Sequence, residues 1–185
     1  MASPWQDRRV LLGVTGSIAA YKAADIAARL VQEGARVTVI MTAAAQKLVR
    51  PATLESLSRS PVVTDLWERA QALQPEHISL AEQADLLLVA PATANFLGKL
   101  AHGLADDALT CTALAVTCPV VIAPAMNDNM YAHPAVQANV RLLRERGCVL
   151  AGPVEGRLAT GKVGLGRMAP IEDILAAAAA ALPKT

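Results

Sequence analysis

The sequence is short of the features that would send it to a membrane, a metal or a nucleic acid. Its longest apolar runs, Leu86 to Ala92 and Pro119 to Met126, stop well short of the roughly 20 residues of a membrane-spanning helix. The N-terminal MASPWQDRR lacks the apolar core of a secretory signal, so a cytoplasmic location is expected. Cysteine occurs at Cys111, Cys118 and Cys148, an odd, scattered set without metal-ligand spacing. Buried free thiols in a reducing compartment, and no metal, are the expectation. A formal net charge of +1 exerts no global pull on nucleic acid or lipid. There is no internal repeat and no low-complexity linker, and 185 residues fit one domain able to bury its own core.

What is present alternates between two periods. Val10 to Val14 is a short apolar run, followed by a helical stretch from Ile18 to Gln32 that Gly34 ends. Ala35 to Met41 reads as a second strand and Pro51 to Ser58 as a helix, with a polar connection near Ala70 to Glu76. Asp85 to Ala90 is a third strand, followed by helices from about Ala94 to His102 and Asp107 to Ala115. Pro119 to Ala123 is a fourth strand, Pro134 to Arg146 a helix, and Cys148 to Ala151 a last short strand. The alanine run Ala176 to Leu182, behind Glu172 and Asp173, reads as a terminal helix. Strands this continuously apolar suit a sheet covered on both faces. The pattern predicts one α/β domain, doubly wound around a mainly parallel sheet.

Ligands of such sheets bind beyond the carboxyl ends of the strands, so the segments found there are the candidate site. GVTGS, residues 13 to 17, offers backbone amides, a helix N-terminus and the Ser17 hydroxyl to a phosphate. The dinucleotide pattern G-x-G-x-x-G is absent, and the second strand ends in Thr42 rather than an acid for a ribose, so a mononucleotide fits better than NAD. PATAN, residues 91 to 95, reads as a proline-stiffened turn, with Thr93 or Ala94 able to cap the next helix. In PAMNDNMY, Met126 and Met130 flank asparagines, which suits a planar ring beside a carboxylate. His77 stands before the helix-like SLAEQ, while Lys22, Asp25, His102 and His133 read as solvated.

One stretch stands apart. RLATGKVGLGRM, residues 157 to 168, packs three glycines and three basic side chains into twelve positions. Glycine weakens helices and strands alike, so a surface loop closing over something anionic is expected, with Thr160 at its centre.

Together, GVTGSIAAYKAADIAARL, HISLAEQADLLLVAPATANFLGKLAHGLADDALT, PAMNDNMY and the GxGRM ending resemble the homo-oligomeric flavin-containing cysteine decarboxylases, from about Arg9 to Ile174. The similarity is highest to the bacterial branch acting on phosphopantothenoylcysteine. The resemblance implies a three-layer Rossmann or flavodoxin-like flavoprotein fold, a single decarboxylase domain over residues 1–185 with no ligase domain, and FMN held between subunits of a trimer that can assemble further into a dodecamer. On matching positions, it places Gly16, Ser17, Thr42, Ala92, Thr93, Asn95 and Met126 at the flavin. It makes His77 the catalytic histidine and Asn127 the ligand of the substrate carboxylate, with Met130 beside it. Arg157, Lys162 and Arg167 then serve a phosphorylated substrate.

The implied reaction converts phosphopantothenoylcysteine to phosphopantetheine in coenzyme A biosynthesis, through thiol oxidation to a thioaldehyde and loss of CO2 to an aminoenethiolate. The family assigns the final proton delivery to a cysteine in an ACG pattern, and here the sequence reads Ala159-Thr160-Gly161. A hydroxyl is a far weaker acid than a thiol of pKa about 8.5. Three readings stay open: proton relay through Thr160, an aminoenethiol product as in peptidyl-cysteine decarboxylases, or an engineered replacement. A non-catalytic flavin-binding regulatory subunit is disfavoured by intact His77 and Asn127, and a flavin prenyltransferase by PAMNDNMY and the basic loop.

Overall fold

The fold is described from a computed structural model, over residues 3–67 and 76–183. Nearly all of the polar connection expected at residues 70 to 76 lies outside the described residues. Five parallel strands, β1 (Arg9–Val14), β2 (Arg36–Met41), β3 (Leu86–Ala92), β4 (Val120–Pro124) and β5 (Val149–Leu150), form one sheet in the order β2-β1-β3-β4-β5. That is the flavodoxin-like order of a doubly wound α/β fold, whose direction of winding reverses between β1 and β3.

Side-chain parity sorts the core into two layers. Val10, Leu12 and Val14 of β1, Leu86, Leu88 and Ala90 of β3, and Val121 and Ala123 of β4 pack on one face. There they meet Ile26, Ala27 and Leu30 of α1 (Lys22–Gln32), Leu54 of α2 (Pro51–Ser58) and Ile174, Leu175 and Ala178 of α8 (Ile171–Ala181). Leu11, Leu87, Val89 and Ile122 face the other way. They pack on Phe96, Leu97 and Leu100 of α4 (Ala94–His102), Leu109 of α5 (Ala108–Ala115) and Val140 and Leu143 of α7 (Pro134–Glu145). Successive strand residues point to opposite faces, so a strand covered on both sides must be apolar throughout, as β3 is.

Several local expectations are corrected. The first helix is split: Ile18–Tyr21 is a 3-10 turn capped by Ser17, and α1 begins only at Lys22. Pro91 lies inside β3, which runs to Ala92, rather than in a turn, and the pairing with β4 shifts between Val89 and Ala92. The terminal helix starts at Ile171 rather than within the alanine run. His77 lies within α3 (Glu76–Gln83), not before it. PAMNDNMY contains a short helix, α6 (Asp128–Ala132), with Asn127 as its N-cap. Lys22 is half-buried rather than fully solvated, whereas Asp25 pairs with Arg29 at the surface.

The stretch from Arg157 to Met168 is not an irregular loop. It is the turn and second strand of an antiparallel hairpin, β6 (Val154–Arg157) and β7 (Val163–Arg167). Leu158 donates to Lys162 O and Gly161 to Leu158 O, closing the turn. Glycine is tolerated because β7 belongs to a two-stranded ribbon, and one glycine is required there. A Cβ on Gly166 would stand 2.3 Å from the Met126 carbonyl oxygen, so β7 lies directly on the segment that follows β4.

Candidate functional site at the switch point

A cavity of about 560 Å³ opens at the carboxyl ends of the strands, where the winding reverses and doubly wound sheets bind their ligands. Four segments wall it: residues 16–22 after β1 (lining at all but Ala20), Thr93 and Ala94 after β3, Ala125–Asn127 with Met130 after β4, and the hairpin from Arg157–Thr160 to Gly166–Met168.

The turn after β1 is built to leave donors free. Ser17 N donates to Thr15 O at 2.8 Å, and the Ser17 hydroxyl accepts from Ala19 N. The amides of Gly16 and Ile18 carry no hydrogen bond among the described residues. These are the orphan donors that a helix start offers to an anion. A Cβ on Gly16 would stand 2.5 Å from Ala44 Cβ, so only glycine lets this turn nest against the segment after β2.

A buried hydroxyl ties the first turn to the second. Thr15 Oγ1 donates to Pro91 O at 2.8 Å and accepts from Thr93 N at 3.0 Å. Thr93 in turn caps α4 by accepting from Phe96 N. On the third wall, Asn127 Oδ1 accepts from Asn129 N at 3.0 Å, and the Asn127 amide nitrogen has no partner among the described residues. The fourth wall is anchored where Met126 N donates to Gly166 O at 2.9 Å.

Of the expected site residues, Gly16, Ser17, Thr93, Met126, Asn127, Met130, Arg157, Thr160 and Arg167 share this cavity. Thr42, Ala92, Asn95, His77 and Lys162 do not line it. Thr42 accepts from Ala45 N and shapes the segment that meets Gly16. Ala92 is fully buried in the core, and Asn95 and Lys162 are exposed outside the wall. His77 is half-buried on α3, off the cavity of its own chain.

The sequence reading passed over two contributors. Thr15 was hidden in GVTGS, and its position between two glycines at a strand end is the signal. Lys22 lines the cavity at the start of α1; burial, and then the Arg167 guanidinium, hold its ammonium below the ordinary lysine range. Cys111, Cys118 and Cys148 are free and half-buried outside the cavity, and burial pushes each thiol up. Among the described residues no cluster of His, Cys, Asp or Glu has metal-site geometry, and no helix is long and apolar enough to cross a membrane.

Fold and cavity define a doubly wound α/β protein of flavodoxin-like order, with a turn at its switch point whose Gly16 and Ile18 amides are unpaired among the described residues. The sequence pattern of the Flavoprotein family matches residues 3–182, and the chain belongs to that family. It is 52% identical over 169 residues to the coenzyme A biosynthesis bifunctional protein CoaBC of Bacillus subtilis, covering 91% of this chain and 42% of the relative. The CoaBC of Mycobacterium tuberculosis is 46% identical over 167 residues, covering 90% of this chain and 40% of that protein. The chain therefore spans about two fifths of these curated relatives. Among solved structures, the FMN-dependent cysteine decarboxylase SpaF superposes with a TM-score of 0.83 at 38% identity, over 95% of this chain and 97% of SpaF. A mutant PPC decarboxylase with serine for cysteine, complexed with pantothenoylaminoethenethiol, superposes with a TM-score of 0.81 at 34% identity, over 92% of this chain and 96% of that one.

Proposed function

We propose that this chain is an FMN-dependent carboxy-lyase that decarboxylates phosphopantothenoylcysteine, the decarboxylase step of coenzyme A biosynthesis. One observation carries the reading. A single cavity joins a turn with free amides at Gly16 and Ile18 to a wall holding Asn127 and Thr160. The similarity to CoaBC and to cysteine decarboxylases supports it.

The residues fit a flavin mononucleotide. The Gly16 and Ile18 amides with the Ser17 hydroxyl would hold its phosphate, and Thr93, Ala94 and Met126 would flank its body. Bound there, the flavin supplies the two-electron oxidation of the substrate thiol, and the protein supplies orientation and electrostatics. Asn127 presents an unpaired amide donor to the substrate carboxylate. A neutral donor orients the carboxylate without a full counter-charge, which avoids over-stabilising the ground state relative to the transition state. Oxidising the thiol to a thioaldehyde gives the electrons of the breaking C–C bond a sink, so CO2 leaves and an aminoenethiolate remains. The hairpin, anchored at Gly166, screens this step from water.

His77 joins this chemistry from another copy of the chain. It stands off the cavity of its own chain, while Ile18 and Tyr21 at the cavity wall are 68% and 64% exposed, apolar surface that a neighbouring copy would cover. That calls for more than one copy of the chain, and the resemblance to the flavin-containing cysteine decarboxylases makes the assembly a homotrimer; the unpaired cysteines suit a cytoplasmic one.

Thr160 favours a second outcome at the last step. It lines the cavity wall, and the resemblance puts a proton-donating cysteine at its position in the sequence. The aminoenethiol is then the released product, or its reduction is slow. The test is to purify the protein with its flavin and incubate it with phosphopantothenoylcysteine. Loss of CO2 alone marks the saturated thiol, loss of CO2 and two hydrogens marks the aminoenethiol, and no mass change with flavin bound refutes the function.

A further inference from the structure

The proposed substrate carries a phosphate monoester as well as a carboxylate, and the cavity has a place for it apart from the Gly16–Ser17 turn. Among the described residues three cations line the cavity, Lys22, Arg157 and Arg167, and no acidic side chain does. Among the described residues none of the three forms a salt bridge, whereas Arg8, Arg29, Arg36 and Lys99 elsewhere each reach a carboxylate.

Lys22 and Arg167 come from the start of α1 and the end of β7, yet they meet in one wall closely enough to repel. Arg167 reaches this position across Gly156 of β6, where a Cβ would stand 2.8 Å from its Cδ. An arginine does not give up its proton, so folding gains nothing by setting a half-buried lysine beside it. The arrangement becomes favourable when a dianion lies between them. A phosphate monoester brings about 1.5 to 2 negative charges at neutral pH, and a carboxylate brings one.

Two phosphates compete for this place, the flavin's and the substrate's. In the function proposed above, the Gly16 and Ile18 amides with the Ser17 hydroxyl take the flavin phosphate without any side-chain charge. The geometry points to Lys22 and Arg167 as the subsite for the substrate's phosphate monoester, selecting phosphorylated cysteine conjugates over unphosphorylated or peptidyl ones. This assignment rests on the function proposed above; it adds Lys22 as a specificity-determining residue and pairs it with Arg167.

The test is binding of phosphopantetheine and of pantetheine to the flavin-loaded protein, by calorimetry and flavin absorbance, in wild type, Lys22→Gln, Arg167→Gln and Lys22→Arg. The wild type should prefer the phosphorylated ligand by at least about tenfold, from charge-assisted hydrogen bonds. Each glutamine variant should lose about tenfold for that ligand and nothing for pantetheine, with Lys22→Arg retaining most of the preference. A preference that survives both glutamine variants overturns the subsite, as does equal binding of both ligands by wild type. Lower affinity of the variants for FMN with none lost for riboflavin assigns the pair to the flavin phosphate and also overturns it. If wild type binds neither ligand and does not consume phosphopantothenoylcysteine, it is the function that fails.

Discussion

The Met126 amide donates to the Gly166 carbonyl at 2.9 Å, and a Cβ on Gly166 would stand 2.3 Å from the Met126 carbonyl oxygen. The hairpin is thus fixed at β7 to the segment carrying Asn127. Because the obstructing atom is backbone, Gly166→Ala cannot be relieved by a rotamer change. The variant should lose about 1–3 kcal/mol, as overpacked positions do, lowering Tm by roughly 2–4 °C per kcal/mol. It should also lose substrate binding more than flavin binding. An unchanged Tm with intact binding would mean that β7 is free to lift.

Thr15 ties two cavity-lining segments through one buried hydroxyl, donating to Pro91 O and accepting from Thr93 N. Thr15→Val keeps the shape and leaves the Thr93 amide unpaired, at a cost of about 1–3 kcal/mol. Thr15→Ser should recover most of that. Thermal unfolding and flavin retention measured together check it, and valine matching wild type in both would remove the tie from the account.

Fold class and the walls of the cavity were legible in the sequence because they follow from local rules. Continuous apolar runs mark strands covered on both faces, and Gly16-Ser17 between a strand and a helical start marks a turn at the strand's carboxyl end, where the cavity lies. The hairpin was not legible, since glycine content speaks against strands until Gly166 is seen lying on Met126. Lys22 read as solvated because it is a charged side chain at the start of a helix, and only the return of the chain at Arg167 closes the wall over it. His77 carried a strong family signal, yet a single chain does not bring it to the cavity.

Lys22 gives a pH prediction of defined sign. Its folded-state pKa lies below the ordinary value, because burial strips water from the ammonium and Arg167 repels it. A lysine lowered in this way costs stability while charged, and the cost falls away as pH rises from the folded pKa to the unfolded value of about 10.4. Lys22→Met should therefore raise Tm at neutral pH, by a small amount because solvent still reaches the group. The gain should shrink at alkaline pH. A variant less stable than wild type at neutral pH would show that the charge is satisfied within the free protein.

His77 and Asn127 can be separated by subunit. Mixing subunits carrying His77→Asn with subunits carrying Asn127→Asp, each inactive alone, restores activity if one site draws the two residues from different chains. Random mixing in a closed ring then gives intact sites at about a quarter of positions. Activity that stays at the level of the single variants after dissociation and reassembly would place both residues of each site in one chain.

Thr160 sits exposed at the hairpin turn and lines the cavity, so a thiol placed there reports on access and on chemistry. Burial pushes Cys111, Cys118 and Cys148 up and keeps them largely protonated and slow toward iodoacetamide at neutral pH. In Thr160→Cys the new thiol should alkylate first, and a bound substrate analogue should slow it. The same variant should shift product from aminoenethiol toward saturated thiol, since a thiol of pKa about 8.5 can deliver a proton that the threonine hydroxyl holds. Protection without a change in product would leave the hairpin over the substrate while removing residue 160 from the reductive step.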